Sequence, residues 1–168
     1  RDPFANHPGI RLLDENGDLK PEVLEILDLI KEYDATVATG HISIGESIAV
    51  CNAARERGVR TVLTHPDWTC TTVPADVQTQ LVKKGVILEK LWFDIGINHV
   101  TAEYMAQTIR DAGVENCFMA TDRGQSGKEY PVEGLMMFMD AMLDCGFSVE
   151  EIDIMTHENP ERVLGLRP

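Results

Sequence analysis

Hydrophobic positions along the chain switch between a helical and an extended period. Val23, Ile26, Leu27 and Ile30 follow the i, i+3, i+4, i+7 spacing of a buried stripe, and Pro21 suits a first turn, which predicts a helix over 21–33. A short β-rich run over 36–40 follows. The segment after His41 leads into a predicted helix over 46–57, closed by Gly58. A second strand is predicted over 60–64, and His65-Pro66-Asp67-Trp68 then breaks regular structure because proline lacks the amide donor. Further elements follow in turn: a helix over 74–84, a strand over 86–92 that is apolar apart from Glu89 and Lys90, and a helix over 101–112 with Ala102, Met105, Ala106 and Ile109 on one face. The fourth strand is predicted over 117–121. A polar loop from Asp122 to Gly127 leads to a helix starting at Pro131, whose Leu135, Phe138, Met139 and Met142 read as core rather than as a cofactor box. Two short helices, over 149–155 and 160–164, end the pattern, with His157 closing the first and Asn159 capping the second.

Strand followed by helix, four times over, fits right-handed crossovers and a parallel sheet. The fold class is therefore α/β, and 168 residues suit a single domain over 1–168. The formal net charge of -13 argues against a nucleic-acid or anionic-membrane partner, because the summed field repels both. Cys51, Cys70, Cys117 and Cys145 are widely spaced with no C-x-x-C pair, as expected for reduced thiols in a cytoplasmic protein. No apolar run approaches the roughly 20 residues of a membrane span, and no signal-peptide pattern opens the chain. The chain begins with Arg1, and the expectation is a fragment or processed chain lacking an N-terminal part.

Candidate chemistry lies where the strands stop. The first ends on His41, the second on His65 and the fourth on Asp122, all at the carboxyl ends where parallel α/β folds build their sites. Two imidazoles and a carboxylate suit zinc or a similar divalent ion, with positions left for water. Each residue also has a plainer reading: a histidine bonded to a neighbouring loop, or an Asx turn at Asp122. Glu89 either points toward the site or pairs with Lys90 or Arg123. Glu46 either orients His41 or stabilises a helix N-terminus. His7 reads as a surface loop residue, and His99 and His157 stay in the background.

Ala38-Thr39-Gly40-His41, the following Glu46, Leu63-Thr64-His65-Pro66, Ala120-Thr121-Asp122 and the run Asn159-Pro160-Glu161-Arg162-Val163-Leu164-Gly165-Leu166 together resemble the C-terminal half of a metal-dependent hydrolase of the amidohydrolase superfamily. The likeness extends from about Leu12 onward. It implies that the four strands are strands five to eight of a (β/α)8 TIM barrel, with His41 and His65 as ligands of a divalent metal, zinc by preference. Asp122 would bind metal and handle the proton of the attacking water. Glu46, Glu89 and Arg123, read from their own positions, are the candidates for supporting or substrate-facing groups. The family's His-x-His pair on the first strand and its bridging Lys or Glu have no counterpart here. The resemblance thus implies a site completed from elsewhere, weak zinc binding by this chain alone, and association with the missing N-terminal half or with a second copy. The implied activity is hydrolysis of a small molecule at an amide, ester or related C–N or C–O bond. A decarboxylase of the same superfamily and a catalytically silent half of a split barrel are the nearest alternatives. A flavodoxin-like binding module is a third, although neither a G-x-G-x-x-G fingerprint nor a P-loop is present.

Overall fold

A computed structural model describes residues 9–69, 72–96 and 100–166. His7, Cys70 and His99 lie outside the described residues. Helix α1 (Pro21–Glu32) opens on its proline, and helix α2 (Ile44–Glu56) follows strand β1 (Thr36–Ala38). Strand β2 (Arg60–Leu63), helix α3 (Ala75–Val82), strand β3 (Ile87–Leu91), helix α4 (Ala102–Ala112), strand β4 (Cys117–Ala120) and helix α5 (Pro131–Asp144) continue the alternation. The four strands form one parallel sheet in the order β1-β2-β3-β4, as successive crossover helices require. No described helix is long and apolar enough to cross a membrane.

The larger core lies between this sheet and its helices, with Leu63, Leu88, Met105, Ile109, Cys117, Phe138 and Met142 buried in it. Phe138 and Met142 are fully buried and Leu135 and Met139 pack against them, so the methionine-rich helix is a core element. A smaller core joins α1 to α2 through Leu27, Val50, Ala54 and Val59. There the expected stripe shifts by one residue: Val23, Leu24 and Ile30 pack around Leu27, while Ile26 is exposed. A turn of 100° per residue carries Leu24 to the inner side and Ile26 off it.

The C-terminal segment departs from the two separate helices expected. Helix α6 (Val149–Asp153) runs through a π-helical turn (Ile154–Glu158) into helix α7 (Asn159–Val163). Asn159 does not cap α7, because its own backbone is already helical at φ -67°. Its side chain is 1% exposed and donates to the carbonyls of Val114 at 2.7 Å and Cys117 at 2.6 Å, locking the C-terminal helices onto the start of β4. His157 does not end a helix either. It sits exposed on the π turn between Asp153 and Glu161.

Candidate active site at the strand ends

Strands β1 and β2 run in register from Thr36 opposite Arg60 to Ala38 opposite Val62. Beyond that point threonine side chains continue the ladder. The Thr39 amide donates to the Val62 carbonyl at 3.1 Å, the Thr64 amide to Thr39 Oγ1 at 3.1 Å, and the Gly40 amide to Thr64 Oγ1 at 3.2 Å. Gly40, at φ +63°, then turns the chain in a conformation a side chain resists. His41 and His65 leave these clamped ends side by side, with ring centroids 4.6 Å apart. Trp68 lies edge-on to both, at 5.3 Å from His41 and 5.2 Å from His65.

Glu89 belongs to the same end of the sheet. It stands opposite Phe118 in the register, and its carboxylate accepts the backbone N–H of His65. Burial pushes its carboxyl above the usual carboxylate range, the His65 N–H opposes that rise, and the nearby charge of Asp122 adds to it. The His65 ring is 4% exposed, and burial is the leading cause that holds it below the ordinary histidine value. His41 pushes the same way and Asp122 in the other. At neutral pH His65 is therefore an uncharged imidazole, the form that binds metal. Asp122 makes itself felt at both His65 and Glu89, so the three residues share one electrostatic neighbourhood.

His65 and Asp122 also share an unusual backbone, at φ +32° and +47°. Left-handed residues other than glycine cost about 1–3 kcal/mol and collect at functional sites. The remaining instance among the described residues, Asp34 at φ +51°, follows α1, where an aspartate tolerates the turn.

The supporting residues divide. Of the two readings of Glu46, the hydrogen bonds draw the helix-terminal one. Its carboxylate completes a capping box with Ser43 at the start of α2, and its other oxygen accepts the Leu12 amide at 2.7 Å. Glu89 does not pair with Lys90, since neighbours along a strand face opposite sides of the sheet. Arg123 is bound by Glu129, its Nε donating at 2.5 Å, and Trp92 Nε1 donates to the same oxygen at 2.5 Å. The pair holds the Glu129 carboxyl down at about 2, with the Arg123 hydrogen bond as the largest cause. The Arg123 side chain is 5% exposed, and its Nη1 has no acceptor among the described residues.

Among the described residues no three His, Cys, Asp or Glu side chains are gathered into a metal-holding group. The donor chemistry nevertheless fits a divalent ion as far as a pair: two imidazoles lie side by side, with the Asp122 carboxylate close enough to act on His65. Sequence reasoning missed Trp68, the Arg123–Glu129–Trp92 cluster and the partner of Lys90. For Lys90 a signal existed, because a lysine in an apolar strand that cannot reach the preceding Glu89 needs an acceptor on the helix side.

The profile of DUF6282, a family of unknown function, matches residues 1–89. No curated protein and no solved structure matches the chain.

Proposed function

The chain belongs to the DUF6282 family, whose function is unknown, and from its strand-end residues we propose that it carries part of the active site of a metal-dependent hydrolase. The substrate is a small molecule with an amide, ester or related C–N or C–O bond. One observation carries this reading: two imidazoles from adjacent strand ends stand 4.6 Å apart, and one of them, His65, feels the charge of the carboxylate that follows the fourth strand. In the same reading the sheet is strands five to eight of a (β/α)8 barrel of amidohydrolase type, a fold that usually takes about 250 residues.

His41 and His65 would hold the ion, zinc by preference, with Asp122 beside them. Such an ion would lower the pKa of a bound water to roughly 7. Asp122, exposed just beyond the end of β4, would take a proton from the attacking water and return it to the leaving atom. Glu89 keeps the His65 backbone in place through its N–H. Arg123, fixed by Glu129 and largely buried, would set its positive charge beside the substrate. A cytoplasmic setting belongs to the same reading, in keeping with the free thiols of Cys51, Cys117 and Cys145.

The test is a hydrolysis screen over small amides and esters with the longest available form of the protein, with and without a chelator. Turnover that the chelator removes and zinc restores supports the proposal. Turnover indifferent to the chelator, or confined to decarboxylation, counts against it.

A further inference from the structure

Lys90 lies in the middle of β3 with its side chain 0% exposed, on the face of the sheet opposite Glu89. The three protons of its ammonium meet three acceptors: Asp67 Oδ2 at 2.7 Å, Gln78 Oε1 at 2.9 Å and Thr108 Oγ1 at 3.1 Å. The other oxygen of Asp67 accepts from Gln78 Nε2 at 3.1 Å, and the same nitrogen donates to the Val73 carbonyl at 2.8 Å. The network thus joins β3, α3 and α4 to the segment between β2 and α3.

Asp67 is the member of this network that lies in a turn. It stands between His65 and Trp68, in a segment where the Trp68 amide donates to the His65 carbonyl at 3.2 Å. A buried ion pair adds little net stability, because removing both charges from water offsets their attraction. Apolar side chains of similar volume would fill this space at least as favourably. What they could not do is fix Asp67, and with it the residues on either side.

We propose that Lys90, acting through Asp67, is a positioning residue for the strand-end site. It holds the His65–Trp68 turn so that the two imidazoles face each other with Trp68 edge-on to both. Its consequence for metal binding rests on the proposed function, while the positioning itself does not.

The experiment replaces the three long side chains of the network in the intact chain with Asp67→Leu, Gln78→Met and Lys90→Met together, leaving the Thr108 hydroxyl on its own helix carbonyl, and separately makes Asp67→Asn. Three readings are taken on each: thermal unfolding, NOEs from the Trp68 ring to the His41 and His65 rings, and zinc affinity by calorimetry. The triple variant is expected to unfold at or above the wild-type temperature, to lose the Trp68–imidazole NOEs, and to bind zinc about tenfold or more weakly, the scale of a lost outer-shell partner. Asp67→Asn keeps the volume and an acceptor for Lys90, so it is expected to fold and to change the NOEs in the same direction by less. Wild-type NOEs in a folded triple variant would overturn the proposal. Should the triple variant not fold, wild-type NOEs in Asp67→Asn would do the same. A wild-type chain that binds no zinc yet loses its NOEs in the variants would sink the metal reading and leave the positioning role standing.

Discussion

Asp122 combines exposure with a backbone at φ +47°, and asparagine is among the few residues that tolerate that conformation. Asp122→Asn therefore removes the charge without disturbing the turn. If the carboxylate moves protons, turnover should fall by about 100-fold or more, while metal content falls far less than in His41→Ala or His65→Ala. Normal turnover with full metal occupancy would take Asp122 out of the mechanism. Glu89 makes a second residue-scale prediction through pH. Its folded-state pKa is raised, so the folded protein favours the protonated acid, and that contribution is fully present below the unfolded value of about 4.5 and lost as pH rises through the folded value. Glu89→Gln imitates the protonated form and can still accept the His65 N–H. Thermal unfolding should accordingly show the variant more stable than wild type at pH 7 and no more stable at pH 4. A loss of stability at pH 7 would mean that the ionised carboxylate is favoured. His41, His65 and Asp122 were legible in the sequence because each follows a β-rich run directly. Trp68 and Asp67 were not, since what they do depends on how a broken segment folds back.

At the scale of the element, Glu46 tests whether a helix cap and a site residue can be told apart. Its carboxylate caps α2 and clasps Leu12, so Glu46→Ala should lower unfolding free energy by about 1 kcal/mol in urea titration. Zinc affinity should stay unchanged, and a fall of tenfold or more would restore Glu46 to the site. The strands and the helices between them were legible because proline and glycine mark many of their limits and the apolar period changes between them. The C-terminal segment was not. Asn159-Pro160 reads locally as a cap, and only the carbonyls of Val114 and Cys117, which accept its side-chain amide, explain why Asn159 turns inward instead.

For the whole molecule, the sheet has β1 and β4 at its edges, and the flanking helices carry much of the exposed apolar surface. Ile26 and Leu29 lie exposed on α1, and Val132, Met136 and Met137 on α5. Open parallel edges beside apolar helix faces favour pairing with another chain. Sedimentation velocity at micromolar concentration should show association that grows with concentration, and a single monomeric species throughout would contradict it. The parallel order was readable from the strand–helix alternation. Zinc titration by calorimetry on wild type, His41→Ala and His65→Ala tests most directly whether the histidine pair holds a metal. Weak binding of zinc that is lost in both variants is the predicted result. Tight stoichiometric uptake that survives His41→Ala would contradict both the ligand assignment and the incomplete site.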